Sequence, residues 1–191
     1  MIDWIDAIDK SLFLWLNSLH TPWLDPVMVF FSGKLTWAPL YLLLLGAMIK
    51  VHKKNAIWVV LGIAVLITLA DQFTSGFMKP FFERLRPCRN PDFEGIIHLV
   101  SSCNSRYGFA SSHAANSFAV AVFFFLILPA SWRKITFWLL IWAAIVSYSR
   151  IYLGVHYPGD VLVGGLLGSL FALGVHRLVL FAFRRKPLMS A

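Results

Sequence analysis

Near the end of the chain stand Ser149-Arg150, then five residues, His156, three residues and Asp160, set between two apolar stretches. Ionisable side chains are costly in or beside a bilayer and usually serve function there. A neutral imidazole is a competent nucleophile, and a carboxylate four residues on can fix its tautomer. Arginine grips phosphate through a planar fork of donors. The string points to phosphoryl chemistry at a membrane edge.

Two further clusters supply what the first lacks. Lys79, six residues and Arg86-Pro87 bring positive charge, although basic groups also complement a helix C-terminus. Ser111-Ser112-His113 follows Gly108. Its serine reads as an N-cap, and the free N–H groups of a helix start make an anion cradle. Lys79, Arg86 and Arg150 can neutralise a phosphate's equatorial oxygens, the main electrostatic demand of phosphoryl transfer. One histidine must attack as the neutral base and another must protonate the departing oxygen. His156 suits the first role because Asp160 can orient it, and His113, beside the cradle, suits the second. Pro158 fits the first position of a helix, which sets Asp160 in its first turn. No Asp/Glu/His cluster has the density of a two-metal site, so neither metal nor cofactor is expected.

The elements that hold these clusters are apolar. The 191 residues are 59% hydrophobic and 14% charged, with a mean hydropathy of +0.72. Soluble domains average about 25% charged. A net charge of +8 would suggest nucleic acid in a soluble protein; here it orients helices, and no nucleic-acid partner is expected. Segments of about 20 apolar residues span a bilayer, and five qualify: Pro26–Ile49, Ala56–Met78, Phe109–Pro129, Ile135–Leu153 and Val161–Phe183. Ser32-Gly33-Lys34 can kink or delay the first. Residues 1–25 carry Ile5, Ile8, Leu12, Trp15, Leu16 and Leu19 at helical spacing, with Asp6, Asp9 and Lys10 on another face. That pattern predicts an amphipathic interfacial helix or a partly inserted sixth helix. The expected fold is all-α: one polytopic transmembrane bundle over 1–191, with an outer loop over 79–108.

Lys50, Lys53, Lys54, Arg133, Lys134, Arg184, Arg185 and Lys186 gather at one set of helix ends. The positive-inside rule makes that side, with the C-terminus, cytoplasmic. Every acidic residue, Asp71 included, falls on the other side with the three clusters. The outer loop also carries Lys79, Arg84, Arg86, Arg89 and Arg106, most of which read as site residues rather than topological signals. The expected location is a bacterial-type inner membrane, with the site facing the periplasm or exterior. Cys88 and Cys103 share this loop and are a natural pair in an oxidising compartment. Two free thiols are the alternative; a metal site with His98 lacks ligands.

Lys79-x6-Arg86-Pro87, Ser111-Ser112-His113 and Ser149-Arg150-x5-His156-x3-Asp160 resemble the three signature motifs of the type 2 phosphatidic acid phosphatase superfamily. That family includes membrane lipid phosphatases, soluble acid phosphatases and vanadium haloperoxidases. The resemblance covers Ala56 to Phe183. It implies His156 as nucleophile through a phosphohistidine, Asp160 as its partner and His113 as acid. Lys79, Arg86, Ser111, Arg150 and the backbone of Ser112 would bind phosphate. Ala110-Ser111-Ser112-His113 stands where the family pattern reads Pro-Ser-Gly-His. The expected function is a metal-independent hydrolase of a membrane lipid phosphate: undecaprenyl pyrophosphate, phosphatidic acid, phosphatidylglycerophosphate or a lipid A phosphate. A lipid-phosphate binding or transport protein without turnover is the alternative, and the spanning helices disfavour a haloperoxidase.

Overall fold

The structure, a computed structural model, describes residues 3–185; Lys186 of the basic set lies outside them. Every regular element among the described residues is helical. Lipid leaves an open chain no other way to satisfy its backbone groups. The helices are α1 (Asp3–Ser18), α2 (Leu24–Ser32), α3 (Ala38–His52), α4 (Ala56–Asp71), α5 (Lys79–Phe82), α6 (Ser112–Ile127), α7 (Arg133–Tyr152) and α8 (Pro158–Arg185). A π-turn, Gln72–Met78, joins α4 to α5 without a break.

Three helical runs are long and apolar enough to cross a membrane: Leu35–Phe82, Ala130–Tyr152 and Pro158–Phe183. Ser112–Ile127 is apolar but shorter. The first run doubles back, because Lys53 adopts φ 49° in the turn Lys53–Asn55 and α4 packs against α3. The segment Pro26–Ile49, expected as one helix, is two. Gly33 leaves helical geometry at φ −69°, ψ 131°, and Pro39 opens α3 in its first turn. The segment expected to end at Met78 instead continues to Phe82, which shortens the loop expected over 79–108.

Packing is ordered as lipid requires. Leu162, Leu166 and Leu170 form an exposed stripe along α8, while Val175 and Val179 are buried against Val59 and Leu66 of α4 and Phe123 of α6. Small residues let membrane helices approach closely. A Cβ at Gly168 would strike the carbonyl of Ala115, and one at Gly164 that of Ser111. α8 thus lies directly on the backbone of α6. The same approach carries Asp160 to the start of α6, where Ser111 N donates to the Asp160 carbonyl at 2.9 Å.

α1 is amphipathic, as its spacing predicts. Its apolar stripe (Ile5, Ile8, Leu12, Trp15, Leu19) faces outward, and Asp9, Phe13 and Asn17 are buried against the protein. Phe13 stacks on Phe93 and meets Tyr157 edge-on. Asn17 donates to the carbonyls of Tyr152 (2.8 Å) and His98 (3.0 Å) and accepts from His98 N at 2.8 Å. Asp9, on the face opposite the apolar stripe, accepts from Gly159 N at 2.7 Å. The helix docks with its polar side inward because α8's first turn and the loop after α5 offer it donors.

Candidate active site

The three clusters meet at one end of the bundle, around a cleft of about 880 Å³. Lys79, Arg86, Ser112, His113, Arg150 and His156 line its head. Deeper, Asp71, Gln72 and Asn116 give way to an apolar wall that includes Trp37, Leu44, Ile63 and Trp142.

The turn between α7 and α8 presents His156, which is 1% exposed. Its Nδ1 lies 3.2 Å from Asp160 Oδ2, and that oxygen also accepts from Tyr157 N at 3.0 Å. Nδ1–H is thereby directed at the carboxylate, which leaves the Nε2 lone pair as the ring's free basic site. Burial, then the charges of Arg86 and Arg150, push the imidazole well below the usual histidine range. At neutral pH the ring is uncharged. Asp160 is fully buried behind it rather than on the cleft wall.

Lys79 is aimed by hydroxyls. Its Nζ donates to Ser112 Oγ at 3.1 Å and to Ser75 Oγ at 3.3 Å. Thr74 Oγ1 and Ser75 Oγ lie 2.9 and 2.8 Å from the same Ser112 oxygen, as the π-turn brings two consecutive side chains to one point. Ser112 therefore contributes a side chain where its backbone alone was expected to serve. Ser111, expected to bind phosphate, is buried off the cleft wall, and its Oγ accepts from Ala114 N at 3.5 Å as a long N-cap bond.

Arg86 is anchored by its Nε to the Tyr107 carbonyl at 3.1 Å, and its own N donates to the Arg106 carbonyl at 3.1 Å. Gly108 lies over the pair. A Cβ there would come 3.0 Å from Asp160 Oδ2, 3.1 Å from Arg86 Cγ and 3.6 Å from His156 Nδ1. A disulfide joins Cys88 to Cys103 with Cα atoms 6.2 Å apart. Arg150 donates through Nη1 to Ser32 Oγ, and its buried Nε has no partner among the described residues. None of Lys79, Arg86 or Arg150 forms an ion pair among the described residues.

Arg84 behaves differently, and sequence reasoning gave it no particular role. Its Nη1 lies 2.9 Å from Asp160 Oδ1 and 2.8 Å from Asp9 Oδ2, and its Nη2 lies 2.9 Å from Asp6 Oδ1. The guanidinium also sits over the Tyr157 ring, 4.1 Å from its centroid. The acidic face of α1 was the one trace of this partnership in the sequence. Ser75, Thr74 and Ser32 were likewise missed, since hydroxyls at these positions carry no spacing signal.

The family model described as the PAP2 superfamily matches residues 57–184, a span that holds every cleft-head residue. The chain belongs to the PAP2 superfamily. It is 41% identical to the lipid A 4'-phosphatase of Bacteroides thetaiotaomicron over 88% of this chain and 76% of that one. It is 33% identical to the lipid A 4'-phosphatase of Porphyromonas gingivalis over 96% of this chain and 78% of that one. The crystal structure of Aquifex aeolicus LpxE superposes with a TM-score of 0.66 at 25% identity, covering 88% of this chain and 94% of that one. The family match together with these relatives, named as phosphatases, makes this chain a phosphoric ester hydrolase of the membrane lipid phosphatase type.

Proposed function

We propose that the cleft head hydrolyses a lipid phosphate through a covalent phosphohistidine, without a metal. The observation that carries the reading is the set of three cations, Lys79, Arg86 and Arg150, lining the cleft beside His156 with no carboxylate partner among the described residues. Burying unpaired charge is costly, and a phosphate dianion removes that cost. His156 Nε2 attacks phosphorus as the bond to the lipid oxygen breaks, and Asp160 stabilises the imidazolium that develops. His113, next in sequence to the Ser112 that receives Lys79, protonates the leaving oxygen. Water then attacks the phosphohistidine, giving its proton to His113 and releasing inorganic phosphate. A binding-only protein needs the three cations but not the oriented His156–Asp160 pair.

The relatives named as lipid A 4'-phosphatases favour a lipid A phosphate as substrate. In this reading five helical legs cross the bilayer: α3, α4 with α5, α6, α7 and α8. The cleft opens on the side away from Lys50, Lys53, Lys54, Arg133 and Lys134, which positive-inside reasoning assigns to the exterior. The test is phosphate release in detergent from lipid A, phosphatidic acid and undecaprenyl pyrophosphate, with and without chelator. Turnover that needs an added divalent ion contradicts the metal-free mechanism, and no release from any of the three contradicts the function.

A further inference from the structure

Asp71 stands apart from every other charged group on the cleft wall. Lys34, Lys79, Arg86 and Arg150 are all basic, as a phosphate site needs, and Asp71 is the one acid among the lining residues. A carboxylate there opposes the charge of the substrate's phosphate. It also lies at the end of α4 within an apolar run, where an ionisable side chain is expensive and by default marks a substrate path. Its bonds do not account for it. Asn116 Nδ2 donates to Asp71 Oδ1 at a long 3.3 Å, and Asp71 forms no ion pair among the described residues. Gln72, the next residue, lines the same wall and is exposed.

The position of this group is specific. Asp71 is eight residues before Lys79 on one continuous helical run, and Asn116 is three residues after His113 on the facing helix. One turn or two below the phosphate grip, both helices therefore present hydrogen-bonding groups, and below these the wall is apolar. A substrate held at its phosphate and at its hydrocarbon must place its linking group between them. A carboxylate accepts hydrogen bonds only, so it selects a linking group rich in O–H and N–H donors. Phosphatidic acid and polyprenyl phosphates carry no such donors beside the phosphate. A sugar bearing hydroxyls and an acylated amine carries several.

We infer that Asp71, with Gln72 and Asn116, forms a subsite that binds the hydroxyl and amide donors of a phosphorylated glycolipid. The subsite rests on the hydrolase reading above and adds its specificity. Asp71 acts there as acceptor to the sugar, and Asn116 holds the carboxylate in place. A site built to hydrogen-bond a substrate discriminates strongly against analogues lacking those groups, since its polar atoms are then left unmatched.

The experiment measures kcat/KM of the full chain in detergent on a phosphorylated, N-acylated glucosamine lipid and on phosphatidic acid, for the wild type, Asp71→Asn, Asp71→Ala and Asn116→Ala. The expected result is a fall of roughly tenfold or more in the glycolipid-to-phosphatidate ratio for both Asp71 variants, on the scale of one lost charged hydrogen bond, carried by KM. Asn116→Ala should move the ratio the same way by less. Residual phosphatidate turnover reports that each variant is folded, and Asp71→Asn preserves side-chain shape should Asp71→Ala fail to fold. An equal loss on both lipids overturns the subsite and makes Asp71 a counter-charge to Lys79 or a packing residue. No loss on either also overturns it. If the wild type releases phosphate from phosphatidic acid but not from the glycolipid, the subsite falls and the hydrolase mechanism stands; if it releases phosphate from neither, the hydrolase reading falls with it.

Discussion

Arg84 Nη1 lies 2.9 Å from Asp160 Oδ1, the carboxylate oxygen opposite the one that faces His156. The same guanidinium nitrogen reaches Asp9, and its neighbour reaches Asp6, on α1. One side chain therefore ties the first helix to the carboxylate behind His156, the proposed nucleophile. Arg84 partly neutralises Asp160, and so limits how far that carboxylate can favour a charged His156. It is a positioning residue, since Asp160 stands between it and the reacting atoms.

Replacing Arg84 should consequently alter chemistry more than binding. Arg84→Gln is expected to lower kcat with little change in KM. It should also move the acid limb of the pH profile upward, because an unopposed Asp160 charge stabilises the His156 imidazolium. Arg84→Lys keeps the charge but not the fork of donors and should fall between. Removing one partner from a buried charge network typically costs about 3–5 kcal/mol, so stability is measured in parallel. A pH profile that stays fixed in Arg84→Gln would leave Arg84 a purely structural tie.

His156→Ala and His113→Ala are each expected to reduce turnover by at least about 10²–10⁴-fold, the usual scale of acid–base help alone, with elution in detergent unchanged. A phosphorylated protein intermediate should be trappable by acid quench in the wild type and absent in His156→Ala. Trapping at another residue, or near wild-type turnover in His156→Ala, would refute the assigned nucleophile.

Much of this site is legible in the sequence, because its groups belong to three compact strings whose spacing survives folding. Lys79, Arg86, His113, Arg150 and His156 share one cleft as expected, and Pro158 does open α8. The contacts that spacing does not reveal are those made between distant parts of the chain. Arg84 meets Asp6 and Asp9 across more than 70 residues of chain, and the acidic face of α1 does not say which basic residue it receives. The outward stripe of α1 is apolar as its spacing implies, but periodicity alone does not say whether lipid or protein receives it. The break at Gly33 is visible in the sequence as a possible kink; its outcome depends on how α2 and α3 pack.

The pH dependence follows from the burial of His156. Its pKa lies well below the ordinary histidine value, so the neutral nucleophile persists below about pH 6.5. The acid limb of kcat/KM should fall below that point. The sign for stability agrees. The unfolded histidine takes up a proton near pH 6.5 while the buried one does not, so its contribution is present above that pH and is lost as pH falls toward the folded pKa. Brief acid exposure followed by assay at neutral pH separates the reversible limb from unfolding. An acid limb at or above the ordinary histidine value would contradict a buried, neutral His156.

Ser112 gives a prediction particular to this chain. Its hydroxyl receives Lys79 at 3.1 Å, whereas a glycine there offers nothing. Ser112→Gly and Ser112→Ala should raise KM by about tenfold, the scale of one charged hydrogen bond, with a smaller effect on kcat. Lys79→Ala should then cost less in the Ser112→Ala background than in the wild type, since residues in contact are not additive. Full additivity would show that Lys79 is positioned by other groups.

The disulfide should act on binding before it acts on the fold. Cys88 follows Arg86-Pro87 directly, and Cys103 lies on the segment that returns to Arg106 and Tyr107, whose carbonyls hold Arg86. Arg89 Nη2 donates to the Cys103 carbonyl at 2.7 Å, a second tie across the same loop. Closing 15 residues restrains the unfolded chain by about 3 kcal/mol on the chain-entropy model. The helical bundle, however, keeps its own core of α3, α4, α6, α7 and α8, which includes neither cysteine. Cys88→Ser with Cys103→Ser, or reduction of the wild type, is therefore expected to raise KM for a lipid phosphate while the helical signal by circular dichroism is retained. The thermal midpoint should fall only where the outer loop is probed, as in limited proteolysis between residues 89 and 105. Loss of helix together with activity would make the bridge a determinant of the whole fold, and unchanged KM in the double serine variant would mean that Arg89 and the Tyr107 carbonyl hold Arg86 in place without it.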